Sequence, residues 1–318
     1  MKSELTVLSV YHSAESKKFL ELNYRLTKAL NPGVNLSWLI ADNTPDDFAG
    51  EKLDNARYRV VRHKSMAAFM PELDPAFHPA RASYHHASAL NILTPLIQTR
   101  WALILDADYY IVRKNWATDI LAYMDGHNLG IFGSPWHPRW WKKIRYFPAI
   151  HSLFLDLDRV PASSLDFLPG HPSSERRRYF LKILPKRLRN NVAARLAIGS
   201  SRDTAYKLYE RYSKNKKFYE CTYPVFKPFE EFSTVSSLAR YFFESFFPER
   251  FSYLPRSGTY SKLSFKDRGY FNAMGNGWEE FVWKDSPFGF HLRSLGDVRQ
   301  LKADKSDLLY RALEAFGI

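Results

Sequence analysis

Arg100-Trp-Ala-Leu-Ile-Leu-Asp106-Ala-Asp108-Tyr-Tyr-Ile-Val112 is the stretch that decides the fold of this chain. Trp101 to Leu105 is a short, continuously apolar run, which reads as a central strand covered on both faces. Two carboxylates follow at i and i+2, where such a strand leaves its sheet. In open α/β folds, ligands bind in the crevice at the carboxyl ends of the strands. Two hard oxygen donors at that place suit Mg²⁺ or Mn²⁺, which would in turn hold a diphosphate. The competing reading is a solvated turn, since Asp-x-Asp is common by chance. A helix and a strand leading into the pair favour the site.

Working outward, Leu5 to Tyr11 reads as a first buried strand, and Ser13 to Leu30 as a helix stopped by Asn31-Pro32-Gly33. Val34 to Ala41 is a second strand, closed by Asp42-Asn43-Thr44-Pro45, and Tyr58 to Arg62 a third. Ser83 to Thr99 carries helical spacing and delivers the chain to the Asp106 strand. This β-α-β-β-α-β run is an α/β nucleotide-binding pattern. Neither G-x-G-x-x-G nor G-x-x-x-x-G-K occurs, so phosphates bound here need a cation.

Beyond the Asp pair, Leu129 to Gly133 and Pro148 to Val160 read as strands, and Thr204 to Lys214 as a helix with Asp203 in position to cap it. Phe218 to Phe226 reads as one further strand, ended by Pro224. Trp278-Glu-Glu-Phe-Val-Trp283 and Phe288-Gly-Phe-His291 follow, then an amphipathic helix from Lys302.

The 318 residues suffice for a full core, and 25% charged with 45% hydrophobic residues is ordinary for a folded protein. One cysteine, Cys221, excludes an internal disulfide or a cysteine-based metal cluster. No run of 18 apolar residues occurs, and the first residues lead straight into a strand. The expectation is a cytoplasmic protein without a spanning helix or secretion signal. The net charge of +13 is uneven: the segment Arg139 to Lys227 holds the whole excess. Such a block favours a polyanion, an anionic membrane surface or a phosphorylated substrate.

With these residues in view, the chain resembles the GT-A glycosyltransferases, especially family 2-like members. The opening strand and the Ala41-Asp42-Asn43-Thr44 strand end resemble that family's nucleotide-binding edge. His86-Ala-Ser-Ala-Leu90-Asn91 looks like its Lys-x-x-Ala-Leu-Asn helix, with His in place of the commoner Lys. Asp106-Ala-Asp108 matches its metal-binding motif. Arg202-Asp203 and the helix behind them look like its Glu-Asp helix, with Arg202 in place of the acidic partner. His291 matches a third metal ligand.

The resemblance implies a Rossmann-like mixed sheet flanked by helices. Residues 1–135 would bind the donor. Residues 136–318, with a basic helical insertion at about 171–198, would bind the acceptor in the same continuous domain. It implies Ser9, Tyr11, Asp42, His86, Asn91 and Asp106 around a nucleotide-diphosphate sugar, with Asp106, Asp108 and His291 around Mn²⁺ or Mg²⁺. Asp203 would be the base of an inverting transfer to a hydroxyl of a glycan or lipid-linked acceptor.

Each residue has a plainer role to set beside this one. Asp42 fits an Asx-turn before Pro45, and Tyr11 a half-buried strand end as well as a partner for a uracil-like ring. His86 and Asn91 fit a cap or a surface position, and Asp203 a helix cap. Glu279 and Glu280 are alternative acid–base candidates, or an exposed acidic patch. Two other functions compete. A nucleotidyltransferase would share the sheet and the Asp pair, but it would show a Gly/Lys-rich loop after the first strand. A nucleic-acid-binding protein would explain the charge, but not carboxylates at a strand end, and no nucleic acid is expected. Trp136, Trp140, Trp141, Lys142, Lys143 and Arg145 alternate aromatic and cationic side chains, a pattern that suits peripheral contact with an anionic membrane.

Overall fold

The computed structural model describes residues 4–53, 57–63, 81–137, 146–169, 204–224, 278–284 and 286–292. Asp203, the basic insertion expected at 171–198, Trp140 to Arg145 and the helix expected from Lys302 lie outside them.

Seven strands form the main sheet. Four of them run parallel: β1 (Leu5–Tyr11), β2 (Leu36–Asp42), β3 (Arg59–Arg62) and β4 (Trp101–Leu105). The sheet continues through β7 (Pro148–Asp156), antiparallel to β4, then β6 (Ile131–Pro135) and β8 (Tyr219–Cys221), in the order β3-β2-β1-β4-β7-β6-β8. β4 is thus the middle strand, and all five of its residues are buried. Its side chains alternate between two cores, as the two-residue period of a strand requires. Trp101, Leu103 and Leu105 pack with helix α1 (Ala14–Leu30) and α3 (Trp116–Gly126), whereas Ala102 and Ile104 pack with α2 (Arg81–Leu93). Each fully buried Leu or Ile here is worth about 1.5–3 kcal/mol of transfer free energy.

Local chemistry fixes the helices that carry the sheet. Ser13 caps α1 in a reciprocal pair: the Ser16 amide donates to Ser13 Oγ (3.1 Å), and the Ser13 amide donates to Ser16 Oγ (2.9 Å). At the other end Asn31 closes the last turn by donating to the Thr27 carbonyl (2.8 Å). Its own side-chain oxygen accepts from the Ala117 amide (2.9 Å), which ties α1 to the start of α3.

A second sheet, antiparallel throughout, runs in the order β5 (Tyr109–Ile111), β11 (Ser286–Leu292), β10 (Trp278–Trp283) and β9 (Tyr223–Pro224). β5 begins immediately after the Asp pair, and β10 and β11 are the late strands. The expected single strand from Phe218 to Phe226 is two strands. β8 joins the first sheet, the Thr222 amide donates to the Gly133 carbonyl (2.9 Å), and β9 (Tyr223–Pro224) joins the second. Pro224 lacks an N–H, so it suits the edge position it occupies. Helix α4 (Tyr206–Tyr212) starts later than expected. Its N-cap position is Ala205, in a left-handed conformation and without a side-chain cap. Among the described residues no helix is long and apolar enough to cross a membrane.

Candidate active site

The parallel register brings the carboxyl ends of β1, β2 and β3 into one row, with Tyr11 opposite Asp42 and Asp42 opposite Arg62. Asp42 is only 3% exposed. Its Oδ1 accepts from the Thr44 amide (3.1 Å), the Thr44 hydroxyl (2.6 Å) and Arg62 Nη1 (2.9 Å), which is an Asx-turn with an ion pair added. Burial alone would raise its pKa, but the Thr44 hydrogen bonds and the Arg62 charge hold the carboxyl below its ordinary value. Burial and then the Asp42 charge push the Tyr11 phenol up to about 12.

Tyr11 is fully buried, so its ring presents no open face to a base. Ser9 is buried too, donating to the Leu105 carbonyl (2.7 Å) and so locking β1 to the end of β4. The more open member of this edge is Arg62, which also reaches Thr44 and Asp46. His63 clips the edge to α2, its ring nitrogens bonding Asn43 Oδ1 (2.9 Å) and Ser88 Oγ (3.1 Å). Burial, with His85 and Arg62 nearby, lowers its pKa.

From α2, His86 Nε2 lies 3.4 Å from Asp106 Oδ1. Asn91 faces elsewhere. It accepts from the Phe167 amide (2.9 Å) and donates to Asp166 (3.1 Å), which in turn pairs with Lys207 of α4. Asn91 therefore braces the segment against which α4 docks. The Ala205 amide bonds the Phe167 carbonyl (2.8 Å) on the same segment.

The Asp pair lies where the chain passes from the first sheet to the second. The Asp106 amide donates to the His151 carbonyl of β7 (3.1 Å), and the Leu292 amide of β11 donates to the Asp108 carbonyl (2.9 Å). Asn23 of α1, itself buried, donates to the Tyr109 carbonyl (2.7 Å) just beyond. β5 then pairs with β11 so that His291 stands opposite Tyr109. Gly289 makes room for this pairing, because a Cβ there would run into the Tyr109 ring. The result is a trio: one ligand atom each from Asp106, Asp108 and His291, all within 4.8 Å of one another. His291 Nε2 is 3.5 Å from Asp108 Oδ1. Asp108 is 37% exposed and marks the open side. Two carboxylates and one imidazole are a fitting donor set for a divalent cation. His12, after β1, lies within electrostatic range of His86 and both aspartates.

Glu279 and Glu280 are no exposed patch, since both are buried in β10. Glu279 pairs across the strands with His291, and Glu280 with Phe290, so the two carboxyls occupy opposite faces. Burial pushes Glu280 up to about 8. Trp136 is also buried, its ring 5.5 Å from that of His151, which removes it from any membrane-facing set. Sequence reading missed Arg62, Asn23, His12, His63 and the pairing of Glu279. Arg62 was legible from the register of three parallel strands; the others depend on contacts between elements.

No family model matches the chain, and no curated protein matches it. Solved structures similar to it include a mannosyltransferase and a galactosyltransferase. TarS of S. aureus in complex with UDP-GlcNAc is 12% identical over 56% of this chain and 52% of its own, at a TM-score of 0.33. The mannosyltransferase PcManGT of Pyrobaculum calidifontis, in complex with GDP-Man and Mn²⁺, is 11% identical over 52% and 48%, also at 0.33. The galactosyltransferase LgtC, with donor and acceptor sugar analogs, is 12% identical over 80% and 99%, at 0.34. The chain spans about half the length of the TarS and PcManGT chains it matches. Likeness this loose carries no function; the geometry of the trio has to.

Proposed function

We propose that the protein transfers a sugar from a nucleotide-diphosphate sugar to a hydroxyl of a glycan or lipid-linked acceptor. The observation that carries this reading is the Asp106–Asp108–His291 trio at the carboxyl edge of four parallel strands. Mn²⁺ suits it better than Mg²⁺, because one of three donors is an imidazole. When bound, the cation supplies neutralisation of the charge that builds on the departing nucleoside diphosphate.

The chain's own residues do the rest. Asp106 and Asp108 would hold the cation from the sheet, and His86, 3.4 Å from Asp106, and His12 nearby would offer donors to phosphate oxygens. Arg62 offers donors to the nucleoside end of the edge. Asp203 is the proposed base. It takes the acceptor hydroxyl proton as that oxygen attacks the anomeric carbon, in a single displacement that inverts the configuration.

A panel of nucleoside diphosphates and nucleotide sugars, with and without Mn²⁺, tests the donor by thermal shift. One base should raise the melting temperature only when Mn²⁺ is present, since binding to the folded state stabilises it by mass action. Transfer should release nucleoside diphosphate; release of pyrophosphate from a nucleoside triphosphate would make the protein a nucleotidyltransferase instead. The basic segment suits an acceptor held at an anionic membrane, from the cytoplasmic side. Co-sedimentation with anionic vesicles that fails at high salt, and fails in a Trp140→Ala/Trp141→Ala variant, is the expected result. Absence of binding to any vesicle would return those cations to the acceptor itself.

A further inference from the structure

We infer that Glu279 is a positioning residue of the cation site: its carboxylate keeps the His291 ring proton on Nδ1 and so presents the Nε2 lone pair toward Asp106 and Asp108. This rests on the cation reading above.

The placement follows from register. Glu279 stands opposite His291 on β10 and β11, and His291 stands opposite Tyr109 on β11 and β5, so the three side chains share one face of the second sheet. Glu279 Oε2 is 3.1 Å from His291 Nδ1, and both side chains are 0% exposed. A carboxylate taken this far from water needs a partner, and the Nδ1 edge of the imidazole is the group that faces it. In the inferred arrangement the ring proton sits on Nδ1, facing the carboxylate, and Nε2 is left as the ligand atom.

The ring is also hemmed in. His151 lies 4.5 Å away between centroids at an interplanar angle of 30°, and Tyr109 lies 5.6 Å away. These walls oppose the ring flip that would exchange the two nitrogens. With Nε2 unprotonated, its lone pair and the Asp108 carboxylate confront each other at 3.5 Å. Two ligand atoms of one cation can stand at that separation. Histidines that bind metal are commonly held by a carboxylate on the other nitrogen, and removing that carboxylate typically costs 10–100-fold in metal affinity.

The test is a Mn²⁺ titration of the full chain, followed by electron paramagnetic resonance of the free ion. Glu279→Gln should bind Mn²⁺ about 10–100-fold more weakly, and Glu279→Asp should recover part of the loss. Glu280→Gln, on the opposite face, should bind as the wild type does. Nitrogen-15 spectra of histidine-labelled wild-type protein with Mg²⁺ should place the His291 proton on Nδ1, a readout that does not depend on any variant folding. Undiminished Mn²⁺ affinity in a folded Glu279→Gln, or a proton on Nε2 in the loaded wild type, overturns the inference. If Asp108→Asn and His291→Ala also bind Mn²⁺ normally, the cation site itself is refuted. If those two lose the ion while Glu279→Gln keeps it, only the role of Glu279 falls.

Discussion

Asp108→Asn should give a folded protein that has lost metal-dependent nucleotide binding and all detectable transfer. The substitution keeps the shape of the side chain and removes the charge that a hard cation needs. The side chain is 37% exposed, and the hydrogen bond that docks β11 here runs from the Leu292 amide to the Asp108 backbone carbonyl, which asparagine retains. The melting temperature without ligand should therefore stay close to that of the wild type, while the Mn²⁺-dependent shift with nucleotide disappears. Excess EDTA should reproduce the phenotype in the unmodified protein. Full transfer by the variant, or in EDTA, would refute the metal role.

The second large effect belongs to Asp203. If it is the base, Asp203→Asn should lower turnover by ~10²–10⁴, the usual contribution of a general base, with donor affinity almost unmoved. A cap would have offered another explanation for its place in the sequence, and its loss would cost about 1 kcal/mol. The helix start makes that explanation poor, since Ala205 holds the N-cap position. Turnover and thermal melts, measured on the same preparation, separate the two. Wild-type turnover in the variant would move the base elsewhere. Glu279 would be a weak replacement because it is committed to His291, and Glu280 because it lies on the other face of the sheet.

How far the sequence reached depended on whether a feature was local. β1 and β4 matched their expected limits, since apolar runs flanked by turn residues define buried strands without help from elsewhere. α1 announced itself through Ser13 and the Asn31-Pro32-Gly33 stop. α3 was missed although Trp116, Ile120 and Met124 repeat at helical spacing, because it opens at Asn115 in a left-handed conformation with no side-chain cap. The two carboxylates of the trio were legible from the strand before them. His291 was reached by resemblance alone, as only the β5–β11 pairing places it beside them. The burial of Trp136 and Glu279 was not legible, because each is covered by elements distant in sequence.

The Asp loop bridges two sheets that the ribosome delivers at very different times. β1 to β4, with the row Tyr11–Asp42–Arg62, are complete once the first third of the chain has emerged. The strand that carries His291 comes close to the other end. Contacts between segments so far apart close slowly, because the intervening chain must surrender its freedom before the pairing repays it. A growing or refolding chain therefore assembles the Tyr11–Asp42–Arg62 row early and the Asp106–Asp108–His291 trio late. During that interval β5 has no β11 beside it, and the nascent protein presents an unpaired strand edge of the kind that recruits chaperones or neighbouring chains.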